Sequence, residues 1–221
     1  LRTAGDFVVT CGEAVVRRVT SVKYLGMLMD QNLNFSEHVL SLVKKANSRL
    51  SFLYRYSSLL DIRTRKLLCS ALVSTNLEYC SSAWFPGLFV GLKNRLDVIQ
   101  RKMVRYINEW GPREHVGEPE INSMSWLSFS KRVTFFNLNH VFKAKQGLAP
   151  SYFMKGSHLT SSVHSYQTRG SNSNFHVDNS RYPVGSFTYT AIREWNSLPD
   201  GIKQIRSLAV FKQRVRQYLM L

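Results

Sequence analysis

The sequence predicts an α+β protein that is mainly α: an N-terminal β-hairpin region, a helical bundle, and a C-terminal extension with a short strand and a final helix. From Phe7 to Met29 the segments "DFVVT", "AVVRRV" and "VKYLGMLM" are rich in β-branched and aromatic residues, with Cys11 and Gly12 as turn residues between the first two. From Ser36 onward apolar residues recur at helical spacing, and that spacing returns at the C-terminus after a long polar interval.

Each element has its own signal. Gly26 interrupts the apolar run "VKYLGMLM", and a glycine there marks a bulge, a bend or the close approach of another backbone. Asn34 or Ser36 opens a helix whose apolar stripe is Val39, Leu42, Val43, Ala46, Leu50 and Leu53. Lys44, Lys45, Ser48 and Arg55 fall on its opposite face. Asp61 caps a second helix, "IRTRKLLCSALVSTNLEYC". A third, from about Leu92 to Ile107, carries Leu96, Ile99 and Met103 on one stripe, with Asn94, Arg101, Arg105 and Asn108 opposite. The loop "GPREHVGEPEIN" leads to a fourth helix over Phe129 to Lys145, ended by Gly147 and Pro150. A Ser- and Asn-rich stretch then reads as an extended loop or linker. After it come the strand "SFTYT", a turn of helix near "AIREWNSLP", and an amphipathic helix capped by Ser207. The boundaries that follow are 1–35, 36–110, 111–150, 151–183 and 184–221.

The 221 residues, 44% hydrophobic and 20% charged, suffice for a proper core. Thirty Lys and Arg against 14 Asp and Glu give a formal net charge of +16, which favours a polyanionic partner, nucleic acid before an acidic membrane surface. No apolar run approaches a membrane span. Cys11, Cys69 and Cys80 are widely spaced and form no disulfide framework, which points to an intracellular protein of nucleus or cytoplasm. The chain begins at Leu1, without Met, and reads as a piece of something longer.

Chemistry-bearing patterns are sparse. The six histidines, His38 among them, show no zinc-ligand spacing, and His38 reads as a locally bonded helix-start residue. No carboxylate pair suits two magnesium ions, and "SLPDGIK", with Pro199, Asp200 and Lys203, reads as a turn before it reads as a nuclease fragment. Catalytic and metal residues are therefore assigned to none. Basic residues interleaved with aromatics remain: Arg17, Arg18, Lys23 and Tyr24 in the strand region, Lys44, Lys45, Arg49 and Arg55 on the first helix, Arg101, Lys102 and Arg105 on the third. Such side chains neutralise phosphates without reading sequence. Tyr79, Trp84 and Phe85 have the chemistry to stack bases, but aromatics ending an apolar helix are more often core.

Five segments in colinear order carry a resemblance: "VKYLGMLMDQNLNFSEHV", "LLCSALVSTNLEYCSSAW", "LDVIQRKMVRYI", "RVTFFNLNHVFKAKQGLAPSYF" and "REWNSLPDGIKQIRSLAVFKQRVRQYL". Together they resemble the C-terminal region of reverse transcriptases from LINE-type, jockey-like non-LTR retrotransposons, from about Val19 to Leu221. The resemblance implies that Lys23, Tyr24, Leu25 and Gly26 form a primer grip at the end of the palm, with Gly26 allowing close approach to a nucleic-acid backbone. It implies a thumb over 36–110 whose basic face grips the duplex, followed by a C-terminal extension. The implied partners are RNA, an RNA–DNA template–primer duplex, and the palm and fingers of the same polyprotein, with no membrane. The aspartates that would hold Mg²⁺ are absent from this sequence and would belong to that palm, so no cofactor and no catalysis are expected of this chain alone. A stand-alone nucleic-acid-binding module, and a non-functional remnant or interaction scaffold, are the alternatives.

Overall fold

Two separate hairpins begin the chain. β1 (Val9–Cys11) pairs antiparallel with β2 (Ala14–Val16), and β3 (Ser21–Tyr24) with β4 (Met27–Asp30), in the register Lys23 to Leu28 and Tyr24 to Met27. The computed structural model describes residues 9–16, 18–150, 158–163, 173–176 and 182–221. The protein is α+β and mainly α.

Asp30 makes the passage from hairpin to helix. Its carboxylate accepts the N–H groups of Asn32 (2.9 Å), Asn34 (3.3 Å) and Phe35 (2.8 Å). Burial pushes this carboxyl up, but those donors outweigh it and hold the group below its ordinary value. Phe35 stands at the N-cap of α1 (Ser36–Tyr54) with φ +55°, a conformation bulky residues avoid. Its N–H bond to the Asp30 carboxylate and the burial of its ring hold it there.

The stripe expected on α1 is buried, with Val43 half-buried beside it. A 3₁₀ turn (Ser57–Leu59) leads to α2 (Ile62–Leu68), where Asp61 caps through Thr64 N–H at 2.7 Å. The expected single helix is divided: a π-helical stretch (Cys69–Ser74) separates α2 from α3 (Thr75–Glu78). Hydroxyl and amide side chains return to carbonyls four residues back in and before this stretch, Ser70 to Lys66, Thr75 to Ala71 and Asn76 to Leu72. The short α4 (Ser81–Trp84) precedes α5 (Val90–Asn108). The loop expected after α5 contains a short helix, α6 (Glu118–Ser123), capped by Glu120 accepting from Gly117 N–H at 2.7 Å. α7 runs Phe129–Lys145, the span expected from the stop at Gly147 and Pro150. Gln100 joins α5 to the start of α7, donating to Leu127 O and accepting from Phe129 N–H, each at 2.8 Å.

The C-terminal region differs from expectation. "SFTYT" is no strand: it opens α9 (Phe187–Ser197), which follows α8 (Thr160–Val163). Ser186 caps that helix by accepting from Tyr189 N–H (3.3 Å), and Ala191, Ile192 and Trp195 are buried at helical spacing. Capping and tertiary burial override the strand preference of Phe, Thr and Tyr. The expected turn at Pro199 winds into α10 (Asp200–Lys203), and α11 spans Leu208–Met220. Ser207 is the N-cap of α11, its carbonyl taking the Phe211 N–H at 2.9 Å. Of the expected linker 151–183, much lies outside the described residues. Its described pieces are docked: Leu159 bridges Phe175, and the Asn196 side chain exchanges hydrogen bonds with both backbone groups of Phe175 (2.9 and 2.8 Å).

Two apolar clusters form. The larger gathers α1, the π stretch, α4, α5 and the first turns of α7; the smaller gathers Leu138, Val141 and Phe142 of α7 with Trp195 of α9 and Phe211 and Val215 of α11. Between α7 and α9 lies Glu194, whose carboxylate accepts from Thr134 Oγ1 (2.7 Å) and Asn137 Nδ2 (2.9 Å), while Asn137 Oδ1 is buried without a partner among the described residues. Burial raises the Glu194 carboxyl above its ordinary 4.5, and the two donors offset this only in part. A carboxyl raised on folding adds stability below its unfolded value and loses it as pH rises through the folded one. Glu194→Gln is therefore expected to raise the urea midpoint at neutral pH, with the gap to the native chain closing near pH 4.5. Urea unfolding across that range checks it, and a gap constant with pH would contradict the assignment.

Candidate nucleic-acid interface

Leu25 and Gly26 form the tip of the second hairpin, with φ +46° and +85°. Positive φ at both central residues is a type I′ turn, so Gly26 is a hairpin-turn glycine. The close neighbour is an aromatic ring of the same chain. A Cβ on Gly26 would sit 3.4 Å from Tyr79 Cε1, and the Tyr79 hydroxyl donates to Leu25 O at 2.8 Å. Lys23, Tyr24 and Leu25 are exposed around this tip, Leu25 at 69%.

The base of the hairpin is fixed to the bundle. Met27 and Met29 pack against the larger core, and Leu28 N–H donates to His38 Nδ1 at 3.3 Å. That bond requires an unprotonated Nδ1. Burial, and the charge of Lys45 on the next turns of α1, both lower the pKa of His38 and so favour the neutral ring.

Lys44 and Lys45 are exposed on α1, and neither has an ion-pair partner among the described residues. Arg55 is exposed at the C-cap of the same helix, and Arg101 is exposed on α5. Other members of the sequence-predicted set are engaged within the fold. The Arg49 guanidinium donates to Leu72 O in the π stretch. Lys102 Nζ donates to Asn47 Oδ1 across α1 and α5 (2.7 Å), and Arg105 Nε donates to Glu114 O (2.8 Å). Arg18 is exposed, and Arg17 lies outside the described residues.

Sequence reasoning missed one groove. Between α1 and α5, Val43, Asn47, Asn94, Arg95, Val98 and Lys102 line a recess of about 210 Å³. Arg95 and Lys102 stand seven positions apart on one helix, and that spacing was the available signal. The aromatics divide as well: Trp84 and Phe85 are core, and Tyr79 holds the hairpin tip. Lys203 is structural, 4% exposed, its Nζ donating to Asn174 Oδ1 (2.8 Å), Asn196 O (3.0 Å) and Asp200 Oδ1 (3.4 Å). A separate, largely apolar cleft of about 460 Å³ lies among α4, α7 and α9, lined by Cys80, Ala83, Phe136, His140 and Phe187 among others. Among the described residues, no group of His, Cys, Asp and Glu is placed to hold a metal ion, and no helix is long and apolar enough to cross a membrane.

Comparison with protein-family models, with curated proteins and with solved structures gives no match.

Gly26→Ala is expected to loosen the hairpin. Alanine at this φ costs on the order of 1 kcal/mol. Amide exchange at Tyr24 and Met27 should then accelerate about fivefold while core amides of α5 keep their rates. Unchanged exchange at the tip would contradict the turn assignment.

Proposed function

We propose that this chain is the end of the palm, the thumb and the C-terminal extension of a LINE-type reverse transcriptase, and that it holds an RNA–DNA template–primer duplex through phosphates. The observation that carries the proposal is the exposed lysine pair Lys44 and Lys45, without an ion-pair partner among the described residues, on a helix that also anchors the hairpin. The net charge of +16 and the colinear motifs support it. In this reading Lys23 and Tyr24 at the hairpin meet the primer strand, while Lys44, Lys45, Arg55 and Arg101 meet the backbone. Arg95 and Lys102 of the α1–α5 groove join them, since an ammonium held by one acceptor has further protons to donate. Such contacts position a duplex without reading its sequence.

The exposed valines Val9, Val15 and Val16 of the first hairpin are where the palm would continue the sheet. The metal-binding aspartates would lie in that palm, and this chain's part would be to hold and orient substrate. Two apolar cores favour a second reading, a module that folds and binds without the palm.

A salt-series titration with a labelled primer–template duplex tests the proposal. Affinity is expected to fall steeply with salt, and replacing Lys44 and Lys45 by Ala should flatten the log–log slope by about one to two units. Equal weakening on unrelated duplex sequences is expected too. A folded chain that binds no duplex would overturn the proposal.

A further inference from the structure

The corner between α1 and α2 exposes rings that the packing of the bundle leaves uncovered. Phe52 is 55% exposed and Tyr56 47%, and their centroids lie 5.2 Å apart at a 58° tilt. Tyr56 lies just past the end of α1, and the ring contact puts both on one surface. Tyr54, between them in sequence, is also exposed but packs against α5: its ring meets buried Tyr106 edge-on at 5.0 Å, and its hydroxyl donates to Lys102 O at 3.4 Å. The exposed Leu59 and Ile62 extend the surface along the chain.

Charge decides what this surface fits. Residues 49–66 contain Arg49, Arg55, Arg63, Arg65 and Lys66, with Asp61 as the lone acid. Arg49 is engaged by Leu72 O and Arg65 by Glu109, while Asp61 serves as the cap of α2. Arg55, next to Tyr56 in sequence, and Arg63, next to Ile62, are left exposed. An apolar protein surface would have to accommodate both cations. An unpaired nucleotide offers each what it lacks, a π face for the ring and a phosphate for the guanidinium. A duplex keeps its bases stacked on one another and offers the rings nothing.

Resting on the nucleic-acid reading above, we infer that Phe52 and Tyr56 form a stacking platform for single-stranded nucleic acid, with Arg55 and Arg63 on its phosphates. This is a binding site distinct in chemistry from the phosphate-tracking lysines: it selects unpaired bases, whatever their sequence.

The test uses the full chain and fluorescence anisotropy with labelled probes: a short RNA strand, an abasic strand of equal length, and an RNA–DNA duplex. The variant is Phe52→Leu with Tyr56→Leu, which keeps apolar bulk and removes both rings; Tyr56→Phe is the conservative control. The double variant should lose about tenfold in affinity for the base-bearing strand, with abasic and duplex affinities and the salt slope unchanged. Tyr56→Phe should bind as the native chain does. Equal weakening on all probes, or an undiminished affinity for the base-bearing strand, would overturn the platform while leaving duplex binding in place. A native chain that binds neither strand nor duplex would overturn both readings.

Discussion

The indole of Trp84 is the point on which the rest of the structure turns. It is fully buried, stacked on Phe129 of α7 at 6.2 Å and met edge-on by His38 of α1 at 5.7 Å. Its Nε1 donates to Tyr79 O at 3.0 Å. Through His38 it reaches the backbone of β4, and through Tyr79 the hairpin tip. One side chain thus joins the hairpin, the bundle and the helix that leads to the C-terminal region. Truncating a buried Trp costs about 3–5 kcal/mol, set against a total stability of roughly 5–15 kcal/mol. At this position the loss would also unfix what Tyr79 and His38 hold.

α7 extends that connection to the second half of the chain. Phe129 and Val133 belong to the larger core, and Leu138, Val141 and Phe142 to the smaller. One continuous helix therefore links the two clusters, as a connecting loop would not. Beyond it, polar side chains serve as fasteners. Lys203 and Asn196 hold the 173–176 segment to α9 and α10, and the Trp195 indole donates to Ser173 O at 2.9 Å. Lys145 adds its ammonium over the Trp195 ring at 5.2 Å. Part of the chain's positive charge is thus committed to structure, whereas Lys44 and Lys45 of α1 are left to solvent.

How much of this was legible in the sequence varies by element. The buried face of α1 was legible because it keeps one apolar period over several turns, and the span of α7 because Gly147 and Pro150 stop it. The helix through "SFTYT" was not, because its first turn is β-prone and its burial depends on α7 and α11, which are distant in sequence. The π stretch is set by side chains returning to carbonyls, a local effect without a hydrophobic period. In the candidate interface, residue type identified the cations, but not which of them are engaged. Arg49 and Lys102 were grouped with Lys44 and Lys45, yet their partners Leu72 and Asn47 become visible only in three dimensions. Gly26 was singled out for the approach of another backbone, whereas its positive φ makes it a turn glycine, and the ring in contact with it, Tyr79, was hidden by a separation of more than fifty positions.

Asp30 has a mechanical consequence. By holding the N–H groups of Asn32, Asn34 and Phe35, it makes the turn between β4 and α1 a stiff elbow. Phe35 is locked there in a backbone state it would leave if released. The hairpin and α1 are therefore joined at both the elbow and the Leu28–His38 bond, so that a shift of one is opposed by the other. Loss of the Asp30 carboxylate would release the hairpin and the first turn of α1 together.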